Sequence, residues 1–227
     1  MILDMHVHTV ASDDSTATIT GYIDLMLAYR QFHPFDGFVL TEHRTYTPGL
    51  ELQQYWDEHG VRVFQGIEMD TNLGHLLVYG INERVLERFD LTKRMHDGRR
   101  IIAELEQLGA VAVPSHPFRE SVFGQIIERN RDEVAGIHIL ERYNGQNNEQ
   151  QNARAEALCT QHGFRALGGS DAHYMDPSWF LTCATAFEDT ITSTAELVEA
   201  LHYGRYAPVT LPAVDPACLP VPPPVLR

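Results

Sequence analysis

Short apolar runs alternate with helix-like stretches along this chain, and most of the runs end on histidine, aspartate or glutamate. This constrains the fold more than any other feature, because a short, nearly continuous apolar strand must be covered on both faces. A sheet of that kind is usually parallel and flanked by helices. The runs are Ile2–His8, Gly37–Thr41, Val61–Ile67, His75–Gly80, Ala110–Pro114, Gly136–Leu140, Ala166–Gly169 and Cys183–Phe187. Helical patterns fill Ile19–Arg30, Gly49–His59, Leu91–Leu108, Phe123–Asn130, Glu149–His162 and Thr194–His202. Ser193-Thr194-Ala195-Glu196 reads as a capping box, and Gly163 stands where a helix C′ glycine belongs. The alternation predicts an α/β barrel or a doubly wound sheet. No glycine-rich nucleotide loop follows any strand, which leaves a Rossmann or P-loop reading without support.

Composition narrows the chemistry. The chain has 227 residues, a formal charge of −14 and an ordinary 44 % of hydrophobic residues, so one large domain with an ample core is expected. Sixteen arginines accompany a single lysine, Lys93, which leaves little room for Schiff-base chemistry. The acidity argues against long nucleic acid, whose binding needs clustered cations. Cys159, Cys183 and Cys218 are odd in number and far apart, so a reducing compartment is expected. No run reaches the roughly 18 apolar residues of a membrane span, and the N-terminus has no signal-like h-region, so the expected location is cytoplasmic without a membrane partner. From Pro208 to Arg227 stand seven of the twelve prolines, which marks 208–227 as a proline-rich tail after a domain of residues 1–207.

Twelve histidines are many for this length, and half of them fall where the strands end. His6 and His8 close the first run. With a period of two they share one face, about 6–7 Å apart along the backbone, where two imidazoles can grip one ion. Asp13 follows in the next loop. The second run ends at Thr41-Glu42-His43, the third at Glu68, the fifth at Ser115-His116, and the seventh runs on to Asp171-Ala172-His173, which repeats the i, i+2 pairing. In a parallel sheet all of these ends lie on one rim. A nitrogen and carboxylate set of this size without cysteine suits two or three ions of zinc, manganese or iron. His33, His59, His96, His138, His162 and His202 fall in helical stretches, before a proline or within a strand, and read as ordinary structural residues.

These motifs resemble those of the PHP (polymerase and histidinol phosphatase) superfamily of metal-dependent phosphoesterases. They stand in order: Asp4-Met5-His6-Val7-His8-Thr9 with Ser12-Asp13, Thr41-Glu42-His43, Pro114-Ser115-His116-Pro117, and Gly169-Ser170-Asp171-Ala172-His173. Gly66-Ile67-Glu68 and Gly74-His75 resemble the family's glutamate and following strand, and Asn144-Gly145 with Asn152 its penultimate segment. Glu42 stands where many members have aspartate.

The resemblance implies a distorted (β/α)7, TIM-like barrel with a polynuclear metal site at its C-terminal rim. It implies a first ion on His6, His8, Glu68 and Asp171, a second bridged by Glu68 and held by His75 and His116, and a third on Asp13, His43 and His173. The expected reaction is hydrolysis of a small phosphate ester by a metal-activated water. Glu68 bridges the ions, and His43 or His173 steadies or protonates the departing oxygen. Arg44, Arg119 and Arg142 are the arginines expected to bind phosphate. Histidinol-phosphate phosphatase, an amidohydrolase-like C–N hydrolase and a non-catalytic metal-binding module remain as alternatives.

Overall fold

The computed structural model describes residues 1–212. Its strands are β1 (Ile2–Val7), β2 (Gly37–Leu40), β3 (Arg62–Gln65), β4 (Ile67–Thr71), β5 (Gly74–Tyr79), β6 (Val111–Pro114), β7 (Ile139–Asn144), β8 (Arg165–Gly169), β9 (Cys183–Phe187) and β10 (Tyr206–Thr210). The α-helices are α1 (Ile19–Tyr29), α2 (Gln53–His59), α3 (Glu83–Arg88), α4 (Gly98–Leu105), α5 (Phe123–Asn130), α6 (Glu149–His162) and α7 (Thr194–Tyr203).

The fold is mixed α/β, but the parallel sheet expected from the alternation and the distorted (β/α)7 barrel implied by the resemblance are not seen as one closed sheet. The strands fall into three sheets of order β10-β9-β1-β2-β3, β4-β5-β6 and β7-β8, which do not close on one another. β1, β2 and β3 run parallel and so do β7 and β8, but β5 is antiparallel to both β4 and β6. For β4 and β5 the reason is local. Only Asn72 and Leu73 separate the paired residues Thr71 and Gly74, and so short a connection permits only an antiparallel pair.

The expected run Val61–Ile67 is also divided. At Gly66 the chain leaves β2 and joins β5, and a Cβ there would stand 2.7 Å from the carbonyl oxygen of Val78. Isolated parallel bridges between Val7 and Ala172 and between His43 and Glu68 bring the separate sheets together at one end of the molecule. The functional strand ends meet there.

Helix boundaries follow their caps. Asn148 and Gln151 form a reciprocal capping box on α6, which ends at Gly163 in the left-handed conformation. The box expected on α7 is shifted by one residue. Ser193 accepts from the Glu196 N–H, while the Glu196 carboxylate accepts from Thr192. The stretch Leu91–Leu108 becomes helical only from Gly98, where Asp97 caps the helix, so Lys93 lies in a turn. The sequence pattern gave no sign of α3, β4 as a separate strand, or β10. Pro208 lies inside β10, opposite Thr185 on the sheet edge, where a missing N–H is tolerated. The expected tail boundary therefore moves past Thr210, and the tail from residue 213 lies outside the described residues.

The core is three apolar clusters, centred on Ile101, Phe123 and Leu140, on Met5, Val113 and Leu167, and on Tyr22, Phe38 and Phe180. No described helix is long and apolar enough to cross a membrane.

Candidate metal centre

Both faces of β1 are buried. Leu3, Met5 and Val7 join the core, and the alternate face carries Asp4, His6 and, one residue past the strand, His8. The Nε2 atoms of His6 and His8 stand 3.0 Å apart. Glu68 Oε2 lies 3.3 Å and 3.4 Å from them, and Asp171 Oδ1 likewise 3.3 Å and 3.4 Å. Four donors at about 2.1 Å around a tetrahedral ion would be separated by about 3.4 Å, so this spacing fits one cation.

The other oxygen of Glu68 faces away from this group. Oε1 lies 3.2 Å from His75 Nδ1 and 3.2 Å from His116 Nε2, and accepts a 2.6 Å hydrogen bond from Ser115. A third group gathers His8, His43 and His173, whose rings stack on His8 with centroids 4.6 Å and 4.2 Å away. Three strand-end residues here, Arg44, His116 and Asp171, have φ of 52°, 31° and 57°. Such left-handed backbone is costly for side-chain-bearing residues and persists where surrounding structure enforces it.

The outer contacts fix the rings. Glu141 Oε1 accepts from His6 Nδ1 at 2.8 Å, and its Oε2 accepts from the His116 backbone N–H and from Asn144. A carboxylate can only accept here, so Nδ1 of His6 carries a proton and Nε2 can offer its lone pair to an ion. Ser12 touches His8 Nδ1 at 3.2 Å and donates to Glu42, which also holds Thr9. Glu42 thus acts on His8 through Ser12.

Asp4, Glu42, Glu68, Glu141 and Asp171 are all buried, and among the described residues the one guanidinium paired with any of them is that of Arg119, on Asp171. Buried carboxylates need compensating charge. Burial works to lower the pKa of His6, yet Asp171, Glu141 and Glu68 outweigh it and raise it well above the usual value. His8 is pushed up to about 9 against the same burial, by Asp171 and Glu68. Glu68 and Asp171 are held well below the carboxylate range despite burial, chiefly by His6. Positive charge is favoured at this point. Nδ1 of His75, the nitrogen turned towards Glu68, makes no hydrogen bond. The donor types, the charge and that free ring nitrogen fit divalent metal ions.

Of the residues expected to bind metal, His6, His8, His43, Glu68, His75, His116, Asp171 and His173 lie together in these groups, and Asp13 does not. Asp13 points outward to pair with Arg44, while the next residue, Asp14, places Oδ2 3.4 Å from His173 Nε2 and 3.6 Å from His43 Nε2. In this polar turn neighbouring side chains diverge, and the sequence did not say which of two adjacent aspartates faces inward. None of the six histidines read as structural joins a ligand group among the described residues.

Arg44 lies between Asp13 and Asp70, and Arg119 pairs with Asp171 and Asn144 at the centre. Arg142 is elsewhere. Glu141 faces inward, so with a period of two Arg142 faces outward, where it pairs with Glu156 of α6.

Asp70 and Glu141 were not anticipated. Asp70 stands two residues beyond Glu68 on the same face, with Oδ1 3.6 Å from both His43 Nδ1 and His75 Nε2. The i, i+2 rule applied to His6 and His8 would have found it. An acid within an apolar strand was the available signal for Glu141.

A family model described as PHP-associated matches residues 149–206, well under half of the chain. No curated protein matches the sequence. Among solved structures, PsfC from Pseudomonas syringae superposes with a TM-score of 0.65 at 20 % identity, covering 92 % of this chain and 91 % of its own. A protein from Bifidobacterium adolescentis, named as a candidate metal-dependent phosphoesterase, gives 0.55 at 18 %, covering 75 % and 87 %. A lesion-specific endonuclease from Pyrococcus furiosus gives 0.66 at 16 %, with 91 % of this chain covering 57 % of that one. The chain thus spans little more than half of the endonuclease.

Proposed function

We propose that this chain is a PHP-domain protein and, as such, a metal-dependent hydrolase of a small phosphate ester. The observation that carries this reading is Glu68, whose two oxygens face two separate groups of ring nitrogens. His6, His8, Glu68 and Asp171 would hold one ion, His75 and His116 with Glu68 a second, and His8, His43 and His173 with Asp14 offer a third position. Such ions supply an activated water and neutralise phosphate oxyanions.

The chain's own residues do the rest. Ser115 and Glu141 hold Glu68, His6 and the His116 backbone in place. Arg119, beside Asp171, and Arg44, at the rim, are the guanidiniums within reach of a bound phosphate. Where only the first two positions are filled, proton delivery to the departing oxygen falls to the pair His43 and His173, which share Asp14.

A charge of −14 supports a small substrate over long nucleic acid. The endonuclease likeness makes DNA a comparison worth including. Purified protein is assayed with Mn²⁺, Zn²⁺ or Fe²⁺ on p-nitrophenyl phosphate, bis-p-nitrophenyl phosphate, an anilide and an abasic duplex. Turnover of a phosphoester that is lost in His8→Ala and Asp171→Asn is expected. Turnover of the anilide or the duplex alone, or full phosphoesterase activity in either variant, would overturn the reading.

A further inference from the structure

The tip of the β4–β5 hairpin fastens two loops beside the centre. On one side, the His96 N–H donates to the Asp70 carbonyl at 2.9 Å, the Asn72 N–H to the His96 carbonyl at 3.0 Å, and the Gly98 N–H to the Asn72 side chain at 2.9 Å. These bonds pin the turn carrying Arg94 and Met95. On the other side, the Val122 N–H and the Ser121 hydroxyl both donate to the Leu73 carbonyl. The two loops wall a cavity of about 500 Å³ bordered by His43, Asp70 and His75. Met95 and Val122 line it although they are 55 % and 41 % exposed. A lone exposed apolar residue needs no explanation. Here two come from separate loops, each fixed by backbone hydrogen bonds, and both border one otherwise polar cavity.

We propose that this cavity receives the alcohol part of the ester, and that its occupant is a neutral aromatic or heteroaromatic ring held against Met95 and Val122. The inference rests on the phosphoesterase reading and names the substrate class for that same site. A thioether and a branched aliphatic side chain are good neighbours for a flat ring. Arg94, which has no ion pair among the described residues, borders the same cavity and can lay its guanidinium over the ring. A second anionic group is disfavoured, because Asp13, Asp14, Asp70 and Glu120 also line the space while Arg44 is held by Asp13 and Asp70.

Calorimetric titration of the metal-bearing protein with phenylphosphonate and with methylphosphonate isolates the ring's contribution, since neither is hydrolysed. Phenylphosphonate is expected to bind about tenfold more tightly, the scale of one good apolar contact. In Met95→Ser/Val122→Ser the ratio of the two affinities falls towards one, and in Arg94→Gln it falls partway. Equal affinities in the wild type, or an unchanged ratio in the double variant, would overturn the ring site while leaving the phosphoesterase reading intact. Binding of neither phosphonate by metal-loaded protein would overturn both.

Discussion

A carboxylate engaged from opposite sides, as Glu68 is, depends on the residues that keep its partners turned the right way. Glu141 is the most connected of these, holding the His6 ring, the His116 backbone and Asn144 at once. Replacing it with glutamine preserves shape but puts a possible donor where an acceptor is needed. Glu141→Gln is therefore expected to weaken metal binding about 10–100-fold with the fold retained, as read by competition with a chelating dye and by circular dichroism. Unchanged affinity would assign Glu141 a packing role only. Asp70 has a comparable geometry on the rim, spanning His43 and His75 from the side opposite Glu68. The alternation rule that grouped His6 with His8 reaches Asp70 equally well. Choosing Asp14 over Asp13 was beyond any such rule, because a turn has no fixed period.

Among the elements, the β4–β5 hairpin contributes most to the site. It carries Glu68, Asp70 and His75, and its tip anchors the loops bearing Met95 and Val122. Gly74 makes the tip possible. Its φ is 117°, and a Cβ there would lie 2.3 Å from the Ser121 hydroxyl oxygen. Gly74→Ala is expected to cost about 1–3 kcal/mol through backbone strain and displacement of the 121–122 segment, measured by chemical denaturation. A change below a few tenths of a kcal/mol would mean that the loop yields freely. This hairpin is also where the sequence reading of the fold fell short. Val61–Ile67 looks like one continuous apolar run, yet it is divided between two sheets at Gly66, where the chain passes close to the Val78 carbonyl. That approach involves residues distant in sequence, which a local pattern does not register.

At the scale of the whole molecule, folding concentrates buried negative charge at one end. In metal-free protein, protons on histidine compensate it. A histidine whose pKa rises on folding adds stability that is full below its unfolded value and is lost as pH climbs through its folded value. For His8 the window runs from about 6.5 to about 9. Chelator-treated protein is thus expected to lose melting temperature across that range, while metal-loaded protein, in which ions replace the protons, holds it. Parallel pH dependence in the two forms, followed by scanning calorimetry, would count against a cation at this centre.

The chain alone determined which residue types stand at the strand ends, because alternation along a strand and the burial of apolar runs are local consequences of backbone geometry. It thereby marked His6, His8, His43, Glu68, His116, Asp171 and His173 as a set. Tertiary structure alone decided that the sheets remain open, that Asp14 turns inward where Asp13 turns out, and which rings Glu141 and Asp70 hold. These outcomes depend on contacts between segments far apart in sequence, where packing and charge compensation act across space and leave no periodic trace along the chain.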